Sequence, residues 1–295
     1  MMGGKSPKLL FLFLFFFSFS GAESFCQGFM VRTRQDFGSE TLVYLDSKSP
    51  TYSVLDDELL QVVYDCTLAF EDRTREKAQA QYVLQVGRSF SKYYSRIQHM
   101  ADSVLFYSGS PNMTFRNEIY GKANPVLVQD CFYSDFSSSE MTFTGRLVTE
   151  DFVYKDDLPE TEWTITEETK TILGYQCIKA EGNFRGRNYT VWFSDEIPIS
   201  AGPWKLRGLP GIILSVEDQD GACSMEAVSV KIGAGKILKA DYPYIQVSRK
   251  QYQDMQKQFF EKPGAFASQH FSRINARIVT IKEHSWPALE LLENN

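Results

Sequence analysis

Three features of the sequence predict a mainly β fold: a single curved antiparallel sheet or open barrel, with one or two helices including a C-terminal helix. Short runs rich in β-branched and aromatic residues recur along the chain, bounded by polar or turn-forming residues. Several alternate with period two, so Tyr189, Val191 and Phe193 share one side of a strand while Asn188, Thr190 and Trp192 share the other. Helical spacing is confined to two segments.

In chain order, strands are expected over Thr41–Leu45, Gln61–Thr67, Gln81–Val86, Val104–Tyr107, Met113–Tyr120, Val126–Tyr133 and Met141–Val148. Further runs are Trp163–Thr166, Thr171–Ala180, Asn188–Ser194, Ile212–Glu217 and Cys223–Ile232, with a strand-like stretch at Ala276–Ile281. Asp220-Gly221, between the last two of these runs, is a hairpin turn signal. Ser89–Ala101 reads as a short helix with Phe90, Tyr93, Tyr94 and Ile97 on one side. The better helix begins at Ser248, which fits a capping box with Gln251. It continues through Tyr252, Met255, Phe259 and Phe260 until Pro263-Gly264.

Lys5 and Lys8 precede an apolar run from Leu9 to Phe17, the layout of a secretory signal peptide. A membrane-spanning helix needs roughly 20 apolar residues, about twice this run, so no span is expected. The chain therefore divides into a signal peptide (1–26), an antiparallel β domain (27–240) and a C-terminal helix and tail (241–295). The whole chain of 295 residues has a net charge of −6, and without the leader it has 29 basic against 36 acidic residues. Such a balance disfavours binding to nucleic acid, which needs a basic face. Cleavage after Ala22 or after Cys26 decides whether five or four cysteines remain. An oxidising compartment makes a disulfide among Cys66, Cys131, Cys177 and Cys223 an expectation, with no pairing singled out.

Familiar catalytic signatures are missing. There is no H-E-x-x-H, G-x-S-x-G or G-x-G-x-x-G. Ser89-Phe90-Ser91-Lys92 matches S-x-x-K without its partner motifs, and Gly233-Ala234-Gly235-Lys236 lacks the first glycine and the hydroxyl of a phosphate loop. His99, His270 and His284 are scattered, so neither a metal nor a cofactor is expected.

Residues 161–214 carry the densest pattern. Lys170-Thr171-Ile172-Leu173-Gly174-Tyr175-Gln176-Cys177 is followed by Phe184-Arg185-Gly186-Arg187, Tyr189-Thr190-Val191-Trp192-Phe193 and Gly202-Pro203-Trp204-Lys205. The segment closes on Gly208-Leu209-Pro210-Gly211-Ile212-Ile213. Arg185-Gly186 fits a turn between two strands, and Pro210-Gly211 fits the centre of a type II turn, with Gly211 taking φ > 0. Pro198 and Pro203 stiffen the excursion over 195–211. Here the chain resembles the GLPGLI family through Gly208, Leu209, Pro210, Gly211 and Ile212. That resemblance implies an exported cell-envelope protein of a Gram-negative bacterium, in the periplasm or on the outer surface, with no established activity. It also implies an outer-membrane transport protein as a partner.

The function expected from these features is a non-catalytic ligand-binding or carrier module. Arg187, Trp192, Trp204 and Lys205 would hold a small apolar, peptide or glycan ligand, the aromatics by their faces and the cations by an anionic end. The alternatives are an accessory partner of an outer-membrane transport complex and an envelope hydrolase using acids of the 156–196 region, with Asp195 and Glu196 first. Enzyme activity is the lesser expectation, because no catalytic motif is present.

Overall fold

Alternating apolar side chains can bury only one face, so such runs satisfy their backbone groups by pairing into a sheet. The structure is a computed structural model that describes residues 29–34, 40–45, 51–69, 77–108, 130–147, 150–157, 161–233, 235–262 and 266. The expected leader, Met113–Tyr120 and Ala276–Ile281 lie outside the described residues.

Twelve strands form the main sheet, and its spatial order differs from its chain order. One end runs β10 (Trp163–Ile172), β11 (Tyr175–Phe184), β12 (Arg187–Ser194), β13 (Ile212–Asp218) and β14 (Cys223–Ile232). The middle is β4 (Leu60–Ala69) and β5 (Lys77–Val86). The far end runs β6 (Phe90–Ser95), β7 (Cys131–Asp135), β8 (Glu140–Leu147), β9 (Glu150–Asp157) and β16 (Ile245–Gln246). Every pair is antiparallel except β16 on β9, and the sheet stays open, with β10 and β16 as its edges. Two ribbons stand apart: β1 (Phe29–Arg34) with β2 (Glu40–Leu45), and β3 (Thr51–Asp57) with β15 (Lys236–Asp241). Among the described residues the helices are α1 (Arg96–Ser108) and α2 (Arg249–Glu261).

The expected mainly β fold with a C-terminal helix is what the chain adopts. Where local expectations fail, the reason is physical. Ser89–Ala101 is not one helix. Phe90–Ser95 is a strand buried on both faces, and Ser95 then caps α1 by accepting the Gln98 backbone N–H at 3.1 Å. Val104–Tyr107 belongs to α1, not to a strand. The run Thr171–Ala180 is broken at Leu173-Gly174, a two-residue loop in which both residues have positive φ (53° and 89°). An apolar residue at φ > 0 gives no turn signal.

The inner face of the sheet carries the large core, from Val62, Tyr64 and Leu84 to Phe143, Phe193 and Leu214. A smaller core on the outer face (Val63, Val83, Tyr94, Cys131 and Tyr133) packs against Leu55 of β3. Lys92 of β6 ties this side together. Fully buried, it donates to Asp102 of α1 at 3.2 Å and to the Leu238 carbonyl of β15 at 2.7 Å, with its charge over the Tyr94 ring. The S-x-x-K lysine is thus a strut between three elements. Cys66, Cys131, Cys177 and Cys223 are all buried free thiols, so the expected disulfide is absent. Burial pushes the Cys66 thiol up to about 12 and Cys131 to about 11, which makes them inert apolar fillers. Among the described residues no helix is long and apolar enough to cross a membrane.

Asp102→Ala leaves the buried Lys92 ammonium without its carboxylate and should cost about 3–5 kcal/mol in urea unfolding. A Lys92→Met/Asp102→Leu double variant should recover most of that loss.

Candidate functional site

The excursion 195–211 does not form an exposed lip. It folds onto the inner face, where Ala201, Trp204, Leu206 and Leu209 are buried. Backbone hydrogen bonds from Ile212 to the Ile197 carbonyl (3.1 Å) and from Ile213 to the Ala201 carbonyl (3.0 Å) staple it to β13, and the Trp163 indole donates to the Arg207 carbonyl at 2.7 Å. The glycine roles differ from the type II turn expected at Pro210-Gly211. Gly208 takes the positive φ, +100°. Gly211 is small for another reason: a Cβ there would sit 2.0 Å from the Ser194 carbonyl oxygen. Ile212 opens β13 in the core, and Pro210 is exposed.

Lys205 is carried by this plug into a charged cluster. Its ammonium lies 4.0 Å from Asp156 of β9 and within 6 Å of the rings of Phe132, Tyr154 and Trp204. Arg185, from the β11–β12 turn, reaches the same Asp156 oxygen at 2.8 Å, and Arg249 at the start of α2 lies 3.9 Å from it. Trp204 packs edge-on against Phe184 at 5.3 Å. The other two expected site residues are elsewhere. Arg187 is buried at the start of β12, where it donates to Asp218 at 2.9 Å. Trp192 alternates with the buried Tyr189 and Val191 and so faces the other side of β12, with Lys170 4.5 Å from its ring centre. The structure therefore brings Trp204 and Lys205 together, engages Arg187 with Asp218, and turns Trp192 to the opposite face of β12. Asp195 and Glu196 are exposed, and the Glu196 carboxylate is occupied by the Gln176 backbone N–H at 2.7 Å.

A residue that sequence reasoning passed over lies on the same inner face. Asp130 directly precedes β7, and its carboxyl accepts from the Tyr252 hydroxyl of α2 at 3.3 Å and from Gln256 one turn later. Tyr252 reaches it across Gly145, where a Cβ would lie 2.4 Å from the Tyr252 oxygen. Beneath is a layer of rings: Phe143 stacks on Tyr154 at 4.5 Å and meets Phe132 at 5.1 Å and Tyr252 at 4.7 Å. Burial raises the Asp130 carboxyl to about 6, against the opposing pull of Tyr252, Lys205 and Gln256. Tyr252 and Gln256 lie four apart on a helix, so a polar residue on an otherwise apolar stripe was the available signal. No group of three or more metal-ligating side chains occurs among the described residues.

Fold and site define an open-sheet β protein with a covered, near-neutral carboxyl over an aromatic layer on its inner face. Residues 92–255 match the family described as N-glycanase peptide, N-terminal domain, and the chain belongs to that family. This corrects the GLPGLI resemblance, whose short Gly-Pro motif is a geometric device of the plug. It also overturns the reading of a non-catalytic carrier, since the family is named for an enzyme. Two crystal structures of PNGF-II are similar to the chain. The first is 18% identical with a TM-score of 0.46, covering 67% of this chain and 32% of that one. The second is 19% identical with a TM-score of 0.45, covering 68% and 32%. A LolA superfamily protein from Nitrosomonas europaea is 8% identical with a TM-score of 0.25, covering 61% and 88%. At these scores the superpositions carry no argument, and the family rests on the sequence match. The chain spans about a third of the length of the PNGF-II chains. A search of the curated proteins finds no match.

Two outcomes follow for Asp130. Its folded-state affinity for a proton exceeds that of an exposed aspartate, so its contribution to stability is full below about pH 4 and is lost as pH rises through about 6. Relative to the wild type, Asp130→Asn should therefore gain melting temperature between these values and hold the gain above them. Tyr252→Phe removes a hydrogen bond that favours the charged carboxylate, so carboxyl ¹³C titration should find Asp130 above about 6 in that variant.

Proposed function

We propose that the chain is an exported, glycan-hydrolysing protein of the cell envelope that acts where an N-linked glycan meets its polypeptide. The observation that carries this is the N-glycanase family match over residues 92–255. That range contains Asp130, Asp156, Arg185, Lys205, Arg249 and Tyr252, the residues of the inner-face cluster. Export is supported by the leader-like N-terminus. Hydrolysing the amide that joins the glycan to its polypeptide adds water at the carbonyl carbon and breaks the C–N bond, so it requires a base for the attacking water and a proton for the departing glycosylamine nitrogen. A carboxyl near 6 exchanges protons in both directions around neutral pH. Asp130 is assigned that role. Lys205 sets its electrostatics, and Trp204 and the ring layer offer faces to the apolar sides of sugar rings. Asp156 takes a different part: three cationic side chains within 4.0 Å pair with it and tie the β11–β12 turn, the plug and α2 to β9.

A second reading is favoured by one observation, that the matching family is described as an N-terminal domain. On it, the same inner face engages the glycoconjugate while a separate hydrolase unit cleaves it.

The test is release of oligosaccharide from a denatured glycoprotein bearing high-mannose N-glycans, followed by mass spectrometry. Wild type should release glycan, and Asp130→Asn should be slower by a factor of about 100 or more with its fold intact. Glycan release by wild type only when a hydrolase unit is added would select the second reading. Undiminished release by Asp130→Asn would remove Asp130 from the chemistry.

A further inference from the structure

Asp130 lies under α2, so a helix now occupies the place where a substrate would have to approach it. The helix presents mostly polar residues: its sequence is RKQYQDMQKQFFE, and among its described side chains only Tyr252 is fully buried. Met255 and Phe259 are partly buried along the same stripe, and Phe259 meets Phe266 at 5.7 Å. At its start the Ser248–Gln251 capping box satisfies the exposed amides locally, so the first turn does not need the sheet to complete its hydrogen bonds. The contact with Asp156 is long, 3.9 Å, and partly exposed. Tyr252 is thus the one described side chain of α2 that is fully buried, and it ends on Asp130 itself.

From this arrangement we propose that α2 is a hinged cover over the inner-face site, latched by Tyr252 and Gln256 on Asp130, and that it lifts to admit the glycoconjugate. The proposal rests on the glycan-hydrolysis reading for its substrate and on the packing of α2 for its motion. The latch is self-consistent. A substrate group that takes Tyr252's place on the carboxyl breaks the hydrogen bond at the buried end of the latch, so binding favours opening. Gly145 fits this use, since the bare backbone there lets the phenol pass in and out. Elements with few buried apolar contacts are the ones that open before the whole molecule unfolds.

Hydrogen exchange on the full chain, read by mass spectrometry, tests the cover without any need for turnover. Amides of 252–261 should exchange at least about 100-fold faster than those of β4, and Tyr252→Phe or Gln256→Ala should quicken the helix further while β4 is unchanged. Carbodiimide coupling of glycine ethyl ester to Asp130 should rise several-fold in the same variants. Helix and β4 amides exchanging together, or a helix indifferent to both substitutions, would overturn the cover. A peptide carrying one high-mannose N-glycan should speed α2 exchange. If the helix opens as described but this peptide leaves it unchanged, the cover stands as a motion and the glycan reading of the site fails.

Discussion

One oxygen of Asp156 holds together parts of the chain that are remote in sequence. Arg185 comes from the β11–β12 turn near one end of the sheet, Asp156 from β9 near the other, Lys205 from the plug and Arg249 from α2. Twisted sheets of this many strands curl, and an open one needs something to fix how far. Here the side chain of Arg185 spans the concave side and joins the two ends without closing the backbone ladder. Both partners are mostly buried, so solvent screens the pair less than a surface ion pair. The curl sets the space in which the plug and helix lie, and that space brings Lys205 and Tyr252 close to Asp130.

The sheet was legible because its signals are local. Period-two alternation in Asn188–Ser194 and the Asp220-Gly221 hairpin are decided within a few residues. The same holds for the Ser248–Gln251 box, where both reciprocal hydrogen bonds form. Lys205 and Trp204 were legible as unusual residues in a stiff excursion, though not as parts of a buried cluster. Asp130 was not legible at all. Its chemistry comes from Tyr252 and Gln256, more than a hundred residues away, and no spacing within β7 announces them. Arg187 and Trp192 were legible as residue types that fit a ligand site, but not the partners they take: Asp218 and Asp220 for Arg187, and Lys170 of β10 for Trp192.

The two glycines of the Gly-Leu-Pro-Gly run show how a motif can be read correctly as geometry and wrongly as kinship. Gly208 is needed for its backbone angle and Gly211 for the approach of the Ser194 carbonyl, and any chain that must plug a sheet and return along its neighbour meets the same two demands. A few turn residues therefore carry little information about ancestry. The match over residues 92–255 draws instead on strands, helix and connections together, which is why it outweighs the motif.

That matched range has a structural consequence of its own. It begins at Lys92 in β6 and ends within α2, so it includes β10–β14 on one side of the sheet and β7–β9 on the other. No strand of one half pairs with a strand of the other. In the ladder they are joined by β4 and β5, residues 60–86, which lie before the match and pair with β14 and β6, and across the concave side by the Arg185–Asp156 pair. The inner-face core follows the same path, passing from Val191 and Val216 through Val62 and Leu84 to Phe132 and Phe143. The strands that make the site are thus aligned by a hairpin that contributes none of its charged groups. Changes in that hairpin act on the site through the angle at which Asp130 and Lys205 are presented to each other, and at Tyr82 of β5 through its direct electrostatic contact with Asp130. A residue can therefore matter to this chemistry without facing it, and the middle of the sheet is where such residues are concentrated.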